Sequence, residues 1–253
     1  GRPVAIPDNV RLYFASSFQH SGVAGLLTRP GAAGMCESPT QGNGWAPTLR
    51  ALLVALDEWA DQGIAPPPNN YPRLEEGTLV SVDEARAAFP KIPGVRFPVA
   101  LNELYLPDFG PDFGSTGGRL TKLPPIFGAR YRQFVPKPDR DGLDIAGIRP
   151  VEVAAPIATV TGWNMRAVGH RPTDLCATNG SFIPFAKTRA DRQANNDTRP
   201  SLEERYGNRT GFVRAVDEAT RRLVKERFLL QEDADRYVQA ARESDESYQT
   251  QAR

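Results

Sequence analysis

The sequence is poor in the residue types that most often announce a site. Two cysteines, two histidines, two methionines and three tryptophans occur in 253 residues. With Cys36 and Cys176 alone there is no disulfide framework, and with only His20 and His170 beside them there is no zinc-like cluster. The two cysteines either pair or stand as free thiols. Neither lies beside a basic partner or a clear helix start, so neither reads as a nucleophile. Charge of one sign is also missing: 31 basic residues face 30 acidic ones, and no basic stretch accumulates, which argues against nucleic acid as a partner. Long apolar runs are absent, because the longest, Ala51 to Leu56, is far too short to span a bilayer. The chain starts at Gly1 without a visible leader, which leaves its compartment open.

Proline and glycine, by contrast, are plentiful, at 23 and 22 residues. They concentrate between residues 64 and 150 and imply a long coil-rich middle rather than a regular βαβ repeat. The stretch around which the rest is organised comes earlier. From Val10 to Ala15, apolar residues alternate as in a strand, and Ser16-Ser17-Phe18-Gln19-His20 then leads into a loop. A histidine past the carboxyl end of a strand occupies the place where open α/β sheets keep their chemistry. The glycines of the following loop match no phosphate-cradling pattern, since no GK[ST] follows.

The spacing predicts a helix over Pro47 to Gln62. Proline suits its first turn, and Gly63 stops it. Leu49, Leu52, Leu53, Leu56, Trp59 and Ala60 form one apolar stripe, expected to pack on a sheet, while Arg50, Asp57, Glu58 and Asp61 fall largely on the opposite, solvated side. Pro66-Pro67-Pro68 forces extended backbone. Gly77 to Val82 reads as a short strand and Asp83 to Ala88 as a helical turn. The aromatic residues between Pro93 and Pro138 are expected to be buried in a structured coil lying over the domain. Pro150 to Val153, Ile157 to Thr161 and Ser181 to Phe185 read as strands. The capping box Ser201-Leu202-Glu203-Glu204 opens a set of terminal helices, with apolar residues at helical spacing around 210–227 and 232–241.

Several collinear blocks together are similar to one family. They are Phe18-Gln19-His20, the run Leu49 to Asp57, Pro66-Pro67-Pro68 with Tyr71-Pro72-Arg73-Leu74, Thr161-Gly162-Trp163-Asn164, Gly180 to Phe185 with Thr188-Arg189-Ala190, and Glu203 to Gly207. The chain resembles, from about residue 5 to 243, the bacterial group of "alpha/beta hydrolase domain" proteins. The resemblance implies an α/β fold: the closing strand and helix of an α/β-hydrolase sheet, followed by a Pro-rich, coil-rich extension and terminal helices. The division it implies is 1–63 for the closing strand, histidine loop and helix, 64–200 for the accessory segment and 201–253 for the helices.

In that fold the catalytic histidine follows the nucleophile and the acid. The resemblance therefore implies that this chain corresponds to the carboxyl-terminal portion of a serine hydrolase cleaving a small-molecule ester or amide. His20 would supply the general base, and no cofactor or metal is called for. No G-x-S-x-G is present, so serine and acid are expected from an amino-terminal part or a companion chain. The alternative is a non-catalytic binding or structural fragment. Trp45, Trp163 and Asn164 are candidates to line the substrate pocket, against a simpler role in packing or turns. His170, in a Gly-His-Arg-Pro turn, reads as a surface residue, and nothing in the sequence puts Asp108, Asp112 or Asp174 beside His20.

Overall fold

The computed structural model describes residues 4–20, 27, 30–42, 44–98 and 103–244. Helices and small antiparallel sheets alternate along it. The first helix, α1 (Ala46–Gln62), has proline in its opening turn and ends on Gly63, whose left-handed conformation (φ 69°) donates back to Glu58 and Trp59. β1 (Leu79–Ser81) runs into α2 (Val82–Ala88), which Ser81 and Glu84 close with a reciprocal capping box. β2 (Tyr105–Asp108) and β3 (Ile126–Arg130) form an arm, and β4 (Phe134–Pro136) returns to pair with β1. α3 (Val151–Ala154), β5 (Ala158–Thr161) and β6 (Ser181–Pro184) follow. Four helices complete the described chain: α4 (Arg189–Ala194), α5 (Leu202–Tyr206), α6 (Arg209–Lys225) and α7 (Gln231–Glu243). The strands form three separate two-stranded antiparallel sheets, β1–β4, β2–β3 and β5–β6.

The expected strand at Val10–Ala15 forms no ladder among the described residues. The segment is held instead by one parallel bridge on each side, Tyr13 to Asn70 and Ala15 to Ile148. Phe14 donates to Asn70 and Ser16 to Ile148, while Asn70 and Ile148 donate back to Leu12 and Phe14. The partners cannot extend the pairing: Pro72 and Pro150 stand two residues beyond each bridge and lack the N–H that a ladder needs. Pro150 also explains the second difference. It accepts from Val153 and Ala154 and starts α3, where a strand was expected. Val151, Glu152 and Val153 are all buried, so no alternation was there to be read.

The larger core packs Ile148, Val151 and Ala155 against Val216 and Leu223 of α6 and Ala234, Tyr237 and Ala241 of α7, with Phe228 and Leu229 between those helices. A smaller cluster joins Leu143 and Val153 to Ala158, Val160 and Phe182 of the β5–β6 sheet. Arg199 and Arg205 flank the ring of Phe185, at 5.0 and 4.0 Å, and are anchored by Asp197 and Asp141.

Helix α1 is formed as predicted, but its buried face is turned partway round from the expected stripe. Thr48, Ala51 and Ala55 are buried, and Leu52 packs on the larger core. Asp57 and Asp61 are exposed as expected, but the other two charged residues hold the helix down: Arg50 makes a two-pronged pair with the fully buried Asp233 of α7, at 2.6 and 3.0 Å, and Glu58 meets Arg227 at 2.6 Å. Leu49, Leu53 and Leu56 are exposed, Leu53 by 66%. The β2–β3 arm departs from expectation in the same sense. Leu104, Leu106, Leu123, Ile126 and Phe127 face solvent instead of lying on the domain, because neither strand pairs with any other.

Glu152 lies inside the larger core, where Tyr237 donates to its Oε1 at 2.9 Å. Burial pushes its carboxyl up to about 7, against backbone hydrogen bonds and Tyr237, which pull it down. A pKa raised on folding means that the native state holds this proton more tightly than the unfolded chain. Its stability contribution is therefore complete below about pH 4.5 and lost as pH rises through about 7. Asp144, raised to about 6 mainly by burial, acts with the same sign. Glu204, lowered to about 2 chiefly by hydrogen bonds from the Ser201 backbone and Arg192, titrates below this window. Stability is thus expected to fall by about 3 kcal/mol between about pH 5 and pH 8 from Glu152 alone. Glu152→Gln should flatten that slope in denaturant titrations. A wild-type stability that rises over the same interval would contradict the assignment.

Candidate functional site

The corner that carries His20 is built by polar side chains that have left water. Ser16, Ser17 and Gln19 are buried, while His20 itself is exposed. Ser17 adopts a left-handed conformation (φ 60°), uncommon for a residue with a Cβ. Its amide donates to Asp144 Oδ2 at 2.6 Å, and its hydroxyl accepts from the Asp144 amide at 2.8 Å. Ser16 Oγ donates to the Ala146 carbonyl at 2.6 Å. These bonds turn the chain sharply just before the histidine. Gly147 permits the approach, since a Cβ there would lie 2.5 Å from the Phe14 carbonyl oxygen.

Two amide side chains brace the other side of the corner. Gln19 Nε2 donates to the Gln41 carbonyl at 3.0 Å, and its Oε1 accepts from the Gly180 amide at 3.0 Å. Gln41 is 2% exposed and donates through Nε2 to the carbonyls of Thr161 (2.6 Å) and Ser17 (3.2 Å). Donors satisfied this way hold the geometry, because each lost partner strands another polar atom; Gln41 Oε1, also buried, has no hydrogen-bond partner among the described residues. The Cys36–Cys176 disulfide closes the same region, and the loops it joins also exchange backbone bonds, Glu37 to Met165 and Ala167 to Met35.

Gly180 is where this packing is tightest. A Cβ on it would fall 2.1 Å from Gln41 Nε2 and 2.2 Å from the Thr161 carbonyl oxygen. Gly180→Ala is therefore expected to cost about 2 kcal/mol and to displace Gln41. Thermal unfolding would measure the loss, and an unchanged midpoint would contradict the packing described.

The structure gathers the sequence-predicted site residues only in part. Asn164 lies against this corner but is buried and structural: its Nδ2 donates to the Ser38 carbonyl at 2.9 Å and its Oδ1 accepts from the Ser38 amide at 3.3 Å. Trp163 is half-buried in an aromatic cluster with Phe89 and Phe97, at centroid distances of 5.6 and 5.4 Å. Its backbone carbonyl accepts from Thr161 and Ser181. The Trp163 ring is thus a packing element, although the adjoining Gly162 sits against the Phe18 carbonyl. Trp45 is the half-buried N-cap of α1 and takes no part in the hydrogen bonds of the corner.

His20 is exposed and makes no hydrogen bond among the described residues. His170 is exposed in its own turn, its amide donating to Ala167. Asp108 pairs with Lys122 on the arm, and Asp174 with Arg171. Asp144 and Gln41, which shape the corner, carried no signal in the sequence, since isolated polar residues show no period; Gln19 stood out there only within the Phe18-Gln19-His20 block.

The corner thus presents an exposed imidazole on a turn braced by buried polar side chains. A profile of the alpha/beta hydrolase domain matches residues 7–239. The chain belongs to the alpha/beta hydrolase domain family. No curated protein and no solved structure matched it. Membership suggests a hydrolase, and the His20 corner falls inside the matched region. Among the described residues no helix is long and apolar enough to cross a membrane, and no group of three or more His, Cys, Asp or Glu side chains is placed to hold a metal ion.

Proposed function

We propose that this chain supplies the histidine of a serine hydrolase that cleaves a small-molecule ester or amide by acyl transfer. His20 takes the proton from a serine hydroxyl as the serine attacks the carbonyl carbon, then delivers it to the leaving group. The observation that carries this reading is an exposed imidazole, without a hydrogen bond among the described residues, on a turn braced by buried Gln19, Gln41 and Asp144, within an alpha/beta hydrolase domain.

Serine and acid come from another part of the protein or from a companion chain, because the sequence holds no G-x-S-x-G. The exposed leucines of α1 support that arrangement, since an apolar helix face of this kind ordinarily has a covering partner. In this reading residues 1–63 bring the histidine turn and its helix, residues 64–200 form the accessory segment, and residues 201–253 are the terminal helices, from which Arg227 and Asp233 hold α1. Trp45 remains the candidate among the aromatic residues for the pocket wall.

A fluorophosphonate probe, which labels activated serines, tests this on material from the natural source. Intact mass should show the label on a polypeptide that contains this sequence or copurifies with it. Absence of label on every such polypeptide would leave a binding or structural role as the better account.

A further inference from the structure

A second concavity lies apart from the His20 corner and shares none of its residues. It is a cleft of about 570 Å³ at the foot of the β2–β3 arm, with Ile6, Val10, Leu12, Leu74, Leu79 and Phe134 among its walls. That volume falls within the range of small-molecule sites. Val10 and Leu12 are left partly exposed within it, so apolar surface there still faces water.

Its charges are uneven. Arg73 is engaged with Glu75 and Glu76 at 3.7 and 3.6 Å, and its guanidinium lies 4.9 Å from the centre of the Tyr71 ring. Arg132, on the link between β3 and β4, also lines the cleft. Among the described residues it has no ion-pair, hydrogen-bond or ring partner. Arg73 and Glu75 offset one another, so among the described residues lining the cleft Arg132 is the charge without a counter-ion.

We propose that this cleft binds a small amphipathic carboxylate, an aliphatic chain ending in a carboxylate group. The chain lies along the apolar walls, and the carboxylate meets Arg132, whose planar fork presents paired N–H donors to the two oxygens. An aliphatic amine of the same length is rejected by like charge, and a neutral alcohol gains the walls without the ion pair. The inference is independent of the role given to His20.

Calorimetric titration of the chain with decanoate, decan-1-ol and decylammonium tests it. Decanoate should bind saturably, one per chain, and more tightly than the other two. Arg132→Gln is exposed and should leave the fold intact; it should weaken decanoate about tenfold, as expected for loss of a charge-assisted pair, while leaving decan-1-ol unchanged. Leu12→Asp, on the wall, should abolish the uptake of both. Absence of saturable decanoate binding, equal binding by Arg132→Gln, or decylammonium binding as tightly as decanoate would each overturn the proposal.

Discussion

Replacing His20 with alanine is expected to lower the hydrolytic rate constant of the complete enzyme by at least about a thousandfold. A serine hydroxyl is a weak nucleophile at neutral pH, and in the proposed mechanism the imidazole acts twice, first as base toward the hydroxyl and then as acid toward the leaving group. Its removal costs both steps, while binding and oxyanion stabilisation survive as residual catalysis. The fold should be unaffected, because His20 is exposed and supports no hydrogen bond among the described residues. His170→Ala is the matched control: also exposed, it sits in a separate turn and should leave turnover unchanged. Steady-state kinetics alongside thermal unfolding would separate lost chemistry from lost structure. An enzyme that keeps most of its rate without His20 would refute the assignment.

Loss of the Cys36–Cys176 disulfide should lower stability by about 4 kcal/mol, the second large effect. The bond spans 140 residues of sequence, and cross-linking so long a loop removes much of the freedom of the unfolded chain; for loops of this order the chain-entropy estimate is about 5 kcal/mol, and measured values tend to be smaller. For a chain of this size that corresponds to a fall of about 10 °C in Tm. The effect should be felt locally as well, since Cys36 lies two residues before Ser38 and Cys176 four residues before Gly180, both within the bracing of the His20 corner. Cys36→Ser, Cys176→Ser and the double variant should lose similar amounts, and reductant should destabilise the wild type alone. A wild-type midpoint insensitive to reductant would contradict the bond.

The elements that could be read ahead were those whose cause is local. Helix α1 announced itself through spacing, its early proline and Gly63, and α5 through the Ser201–Glu204 box. The strands β5 and β6 stand close to where alternation and turn residues put them. What escaped depends on distant partners. No local pattern tells that Arg50 will meet Asp233 or Glu58 will meet Arg227, so the leucine stripe of α1 was taken for its buried face. The arm misled for a similar reason: its aromatic and aliphatic residues suit burial, and the described chain gives them no surface to pack on. At the candidate site His20 was legible as a histidine after an extended segment. Its supports were not, because Ser17 owes its left-handed turn to Asp144, and Gln41 its burial to Thr161, each more than a hundred residues away.

The account turns on whether His20 stands beside the reacting serine. A crystal structure of the complete enzyme carrying a fluorophosphonate adduct measures this directly. The account predicts an imidazole nitrogen of His20 within about 3 Å of the adduct's serine oxygen, with the Ser17–Asp144 turn intact beneath it. A labelled serine facing a different histidine, with His20 in solvent, would contradict it.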